Sequence, residues 1–244
     1  MIFGLVIGSF LNVCIYRIPK EESISYPPSH CTSCRHNLSY LDLIPILSYI
    51  FLRGRCRYCE ENISIIYPVI EGLNCFLYLV IYMKYGFTIF SIEFCALISL
   101  LIVISMIDYN TQEVYTSTTI FGAIIGLIFI FVNKFIYGQG IINLLMGGMI
   151  GGTIIWIIVY FTRGMGEGDI EIAAVCGLFL GIKQIALALF LAIVLCGIFG
   201  IIIILLNLKS IKDKIAFGPF IATGTLISIL YGNTIISWYF NLLI

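Results

Sequence analysis

The chain has 244 residues, 61% of them hydrophobic and only 11% charged, with a mean hydropathy of +1.09. An average soluble domain carries about 25% charged residues, so the composition excludes a large soluble core and describes an integral membrane protein. Thirteen basic and thirteen acidic residues give a formal net charge of zero, so nothing in the overall balance argues for nucleic acid, and two histidines, His30 and His36, are too few for a His-based metal site.

The hydrocarbon core of a bilayer is about 30 Å thick and a helix rises about 1.5 Å per residue, so apolar runs of about 20 residues mark spans. Eight runs follow in order, at about 2–18, 65–83, 88–107, 117–135, 140–161, 170–182, 185–207 and 215–238. The first, MIFGLVIGSFLNVCIY, leads into Arg17 and Lys20 without a small-residue cleavage site and reads as a retained span. The sixth is short. No repeat of fixed period stands out. The expected fold is all-α, with about eight transmembrane helices and one small polar insertion. The expected divisions are a first span (1–18), the insertion (19–64) and a membrane domain (65–244).

Lysine and arginine set the orientation. With the N-terminus outside, Arg17, Lys20, Arg35, Arg53, Arg55, Arg57, Arg163, Lys209, Lys212 and Lys214 face the cytoplasm. Only Lys84, Lys134 and Lys183 fall outside. The insertion is then cytoplasmic.

It carries Cys31 and Cys34 in CTSC and Cys56 and Cys59 in CRYC, with 21 residues between the pairs. Two cysteines three apart on a tight turn can face one ion, and a second such knuckle completes a Cys₄ zinc tetrahedron. About 45 residues build little core alone, and zinc replaces it. Disulfides are the alternative, which a reducing compartment disfavours. The site would be closed and structural. Cys14, Cys75, Cys95, Cys176 and Cys196 lie in apolar runs and read as small buried hydrophobes.

Ionisable residues bordering spans point to function. Asp108 closes the third run in VISMIDYNTQEV, and Asp169 opens the sixth in GMGEGDIEIA. By parity both reach the cytoplasmic face. Two facing carboxylates cannot both ionise easily, so such a pair keeps one proton between them and can activate water while polarising a carbonyl, as aspartic proteases do. Gly166 and Gly168 are expected to take backbone angles closed to other residues and to leave room for an extended substrate strand. A proton- or ion-coupled transporter can use the same two acids. Glu71 is expected to pair with an arginine of the insertion. Asp42, in LDLIP, either caps a turn, faces solvent or meets a basic substrate segment.

The chain resembles the bacterial type IV prepilin peptidases, membrane aspartic proteases, over nearly its whole length. The resemblance rests on GSFLNVCIYRIP (8–19), the tetracysteine segment 27–71, MID (106–108), GMGEGD (164–169) and FGPFIATG (217–224), in that order. It implies catalytic roles for Asp108 and Asp169. It also implies prepilin or pseudopilin substrates, cleaved at the cytoplasmic face of the inner membrane after a glycine and before a hydrophobic helix. Members with the tetracysteine domain commonly methylate the new N-terminal amine with S-adenosylmethionine, an activity that rests here on the resemblance alone. The chain departs from the family pattern at Asn110, Tyr115, Thr116, Glu171 and Ala216.

Overall fold

The computed structural model describes residues 1–138, 140–162, 165–206 and 215–243, the last of them by its backbone alone. Arg163, Gly164, Lys209, Lys212 and Lys214 lie outside the described residues. The chain divides into two compact units, Met1–Gly86 and Phe87–Ile244. Among the described residues there is no strand, only two isolated β-bridges.

The first unit holds α1 (Ile2–Arg17), α2 (Leu47–Phe51) and α3 (Ile66–Tyr85). Pro19 ends α1 by forcing a short 3₁₀ turn, Ile18–Lys20, and Gly86 ends α3 with φ 65°. α1 and α3 pack through small residues. A Cβ on Gly8 would lie 2.7 Å from the Glu71 Cα, and one on Gly4 would lie 2.8 Å from the Cys75 Cα. Without lipid to drive helices together, such close approach supplies the packing energy. Asn74 seals the contact by donating to the Gly4 carbonyl at 2.8 Å.

The second unit holds α4 (Ile89–Thr111), α5 (Thr116–Tyr137), α6 (Ile141–Thr162), α7 (Gly168–Leu205) and α8 (Gly218–Leu243). Thr88 caps α4 by accepting the Ser91 N–H, and Gly138 ends α5 at φ 63°. Among the described residues, seven helices are long and apolar enough to cross a membrane. Large apolar side chains such as Phe121, Phe131, Trp156 and Phe190 stand exposed on them. In water such surfaces would aggregate; here they meet lipid.

Seven helices account for eight expected spans because α7 is two arms. Gly181, at φ 73° and ψ 176°, breaks it. Gly151 of α6 abuts both arms: a Cβ there would lie 2.6 Å from the Ala173 carbonyl oxygen and 3.0 Å from the Ile185 side chain. In a continuous helix those residues stand about 18 Å apart along the axis. One glycine touches both because the chain doubles back at Gly181. The runs at 170–182 and 185–207 are therefore two helices, as the sequence predicts, joined at Gly181. The first arm, about 20 Å long, is too short to cross the hydrocarbon alone. α8 packs on the second arm, with Gly224 against the Ala188 carbonyl.

Candidate active site

Asp108 sits in the last turn of α4, and Gln112 ends that helix in the left-handed region at φ 57°. Asp169 is the second residue of α7. Both side chains are buried, each residue only 5% exposed. Each is anchored by a glycine amide. Gly218 N–H, at the start of α8, donates to Asp108 Oδ2 at 2.8 Å. Gly166 N–H donates to Asp169 Oδ2 at 3.1 Å, and the Asp169 amide returns a bond to the Gly166 carbonyl at 3.2 Å. The two carboxyls lie within electrostatic reach of each other. Three helix ends thus converge on one acid pair, and helix N-termini supply amides that favour negative charge.

The glycines act differently from expectation. Neither Gly166 nor Gly168 takes a positive φ, the region that favours glycine. Gly168 is needed for space, since a Cβ there would sit 2.4 Å from the Val114 Cβ. A Cβ on Gly166 would lie 3.8 Å from Asp169 Oδ2, an ordinary contact. Glu171, two residues past Asp169, accepts the Thr119 hydroxyl of α5.

Two features went unread in the sequence. Gly218 lies in FGPFIATG, and no spacing signal ties its amide to Asp108. Its Cα also lies close to Asp108, with room for no side chain: a Cβ would be 2.7 Å from Oδ2. The second is Glu93, buried in α4 and bonded by the Asn133 side chain of α5 at 2.8 Å. A lone acid inside an apolar run was the available sign.

In the insertion the four thiol sulfurs of Cys31, Cys34, Cys56 and Cys59 lie within 4.8 Å of one another. Cys31 and Cys59 sulfurs are 3.8 Å apart. A tetrahedral zinc with bonds of about 2.3 Å spaces its sulfurs by about 3.8 Å, so the donor set fits. The two knuckles are copies. HCTSCRHN (30–37) and RCRYCEEN (55–62) each close with a bridge, His30 to Asn37 and Arg55 to Asn62. Each turns through a left-handed residue, Arg35 at φ 58° and Glu60 at φ 59°. Cys31 and Cys56 amides donate to the His36 and Glu61 carbonyls at 3.0 and 2.8 Å. A repeat of eight residues at an offset of 25 is therefore present in the sequence, although no repeat of fixed period stands out along the chain. The backbone N–H of Cys34, with help from neighbouring thiols, outweighs burial and draws the Cys31 thiol down to about 6, while against the Glu61 N–H burial and the same thiols push Cys59 up to about 12, so the cluster favours a thiolate at Cys31 and not at all four positions.

Asp42 caps a turn. It accepts from the Ser39 amide and hydroxyl at 3.1 and 2.7 Å, and Arg57 Nε reaches its other oxygen at 2.7 Å. Burial works against its charge, but the Ser39 hydroxyl and Arg57 win and hold the carboxyl below the usual range. Among the described residues Glu71 meets no arginine; it accepts the Ile46 amide at 2.8 Å and a hydrogen bond from Ser9.

Two family models match the chain: the bacterial peptidase A24 N-terminal domain over residues 2–85, and the type IV leader peptidase family over residues 95–201. Their junction falls where the two compact units meet in sequence. The chain is 32% identical to a prepilin leader peptidase/N-methyltransferase of Bacillus subtilis, covering 99% of this chain and 96% of that one. It is 31% identical to one from Legionella pneumophila, over 98% and 92% of the two chains. A third, from Pseudomonas putida, is 29% identical over 96% and 90%. No solved structure matches. Carrying both domains in order, the chain belongs to the type IV leader peptidase family.

Proposed function

We propose that this protein is a membrane aspartic endopeptidase that removes the leader of a prepilin or pseudopilin and then N-methylates the new terminal residue. The observation that carries the first half is the pair of buried carboxyls, Asp108 and Asp169, each held by a glycine amide and within electrostatic reach of the other. Like charges so placed share a proton. The ionised member draws a proton from water, and the protonated one hydrogen-bonds the scissile carbonyl, so that water attacks without a covalent intermediate. The glycine amides fix both acids before substrate arrives. Gly166 and Gly168 border Asp169 with bare backbone against which an extended segment can lie.

The charge bias of the sequence supports an active site at the cytoplasmic face of the inner membrane, with the N-terminus outside. A short basic leader in water and a hydrophobic helix in the bilayer put the cut at that boundary. Zinc on Cys31, Cys34, Cys56 and Cys59 would be structural, all four positions being filled by protein. Methyl transfer is supported by the relatives' names; S-adenosylmethionine supplies an electrophilic methyl group to the pilin amine. The transporter reading has no family match behind it. Co-expression with a prepilin, followed by the mass of the pilin N-terminus, tests both steps. A mature, methylated terminus is expected. An uncut leader would overturn the peptidase reading, and a cut but unmethylated terminus the transferase reading.

A further inference from the structure

The insertion carries YLDLIPILSYIFL (40–52), an apolar run that only Asp42, Pro45 and Ser48 interrupt. As a helix it would reach about 20 Å, short of the hydrocarbon thickness, and it folds as a 3₁₀ turn, Tyr40–Leu43, followed by α2. Both pieces are inside out for a segment in water. In the turn the Asp42 side chain is 3% exposed, while Tyr40 and Leu41 are 93% and 65% exposed. In α2, Leu47, Ile50 and Phe51 stand at i, i+3 and i+4 and share one face, and all three are exposed, Phe51 at 80%. The Tyr49 hydroxyl turns inward instead and donates to the Ile63 carbonyl at 3.3 Å. A domain surrounded by water rarely leaves such side chains bare together.

α3 fixes the height of this segment. The Ile46 amide donates to Glu71 Oε2 at 2.8 Å, and a Cβ on Gly72 would lie 3.7 Å from the Ile46 side chain. Ile46 holds φ 61°, an outlier for a β-branched residue, and such a backbone persists only where its contacts over-determine it. Glu71 and Gly72 lie about 8–9 Å along α3 from its start. By that depth the exposed apolar stripe of α3, Ile66, Val69, Leu73 and Phe76, is already under way. The start of α2 is therefore level with surface that meets lipid. Exposed Arg53 and Arg55 follow at once.

We infer that this segment is an interfacial anchor: Leu47, Ile50 and Phe51 insert among the acyl chains of the leaflet in which α1 ends and α3 begins, and Arg53 and Arg55 meet lipid phosphates. An apolar run too short to span, followed by cations, matches the apolar-then-anionic layering of a leaflet. The anchor holds the insertion at a third point besides its junctions with the two helices. It needs only that α1 and α3 cross the bilayer, so it stands or falls apart from the peptidase and methyl-transfer readings.

The test puts a fluorophore on the exposed face of α2 in the full chain. Phe51→Trp, with Trp156→Phe and Trp238→Phe to clear the background, is reconstituted at one chain per nanodisc of phosphatidylcholine and phosphatidylglycerol. At the depth of about 5–10 Å where interfacial helices lie, lipids brominated high on the acyl chain are expected to quench about half of the emission or more. Acrylamide in the water is expected to quench far less than it does free tryptophan. Leu47→Trp, one turn away on the same face, is expected to agree and serves if Phe51→Trp fails to fold by circular dichroism. A folded variant open to acrylamide and untouched by brominated lipid would overturn the anchor. Shielding that appears only with added prepilin, or only with two chains in one disc, would give the face to substrate or to a second copy and overturn it equally.

Discussion

In the insertion four thiols converge from two copies of one eight-residue hairpin. In the helical unit two carboxyls converge from the ends of helices sixty-one residues apart, steadied by the start of a third helix a further forty-nine on. The first assembly is local, and on the zinc reading an ion would hold groups that otherwise repel as thiolates. The second needs no ion, because helix packing in the second unit has already fixed the backbone amides that hold each acid. A site written in short-range pattern depends on its metal; a site written in tertiary contacts depends on the fit of its helices.

Removing the ion should therefore have the largest effect, and a local one. Structural zinc contributes an apparent ~10–16 kcal/mol to the folding of small domains. Cys34→Ser is expected to abolish zinc in metal analysis of the purified chain and to expose residues 20–64 to limited proteolysis. Retained stoichiometric zinc in that variant would break the contrast. Next come the acids. Asp108→Asn or Asp169→Asn should lower leader cleavage by about 10²–10⁴-fold or more, with zinc content and helicity unchanged. Pairing the two substitutions should cost little beyond either one, since groups acting as a unit are non-additive. Additive losses would show that the carboxyls act separately.

The contrast also explains what was legible. Apolar runs gave the helices, because span length follows from bilayer thickness, and the two C-x-x-C pairs gave the knuckles. Asp108 and Asp169 stood out as charges at span ends. The break in α7 was legible as the gap between the runs at 170–182 and 185–207; that Gly181 makes it, at φ 73°, and that Gly151 touches both arms, was not. The Gly218 amide on Asp108 joins positions 110 apart, which no spacing rule connects. Glycines 166 and 168 were legible as a pair, but not that neither takes a left-handed angle and that Gly168 answers to Val114 across a packing contact.

That packing contact can be tested at the level of a few kcal/mol. Gly168→Ala drives a methyl into Val114 and should cost about 1–3 kcal/mol of stability, with a parallel fall in cleavage. Val114→Gly on that background should restore both, as it removes the clashing carbon. Gly166→Ala meets only an ordinary contact and should leave stability within about 0.5 kcal/mol. Any loss of cleavage it shows then belongs to the substrate strand and should appear in KM. Equal destabilisation by the two alanines would mean that the packing contact does not distinguish them.

The smallest effect belongs to the rim of the insertion, where Arg57 is half-exposed and Asp42 is not. Arg57→Ala removes the ion pair but leaves the Ser39 cap, so it should cost no more than about 1 kcal/mol. Asp42→Asn should cost more, since it weakens both the pair and the capping box. The carboxyl titrates below its ordinary range. Its contribution is thus complete above an unfolded-state pKa of about 3.9 and is lost as pH falls through the lower folded value. Between pH 7 and 5 the difference between wild type and Asp42→Asn, read as the rate of proteolysis within 20–64, should stay constant. A difference that shrinks across that interval would mean that Asp42 is not held by Ser39 and Arg57, and that the insertion relies on its metal alone.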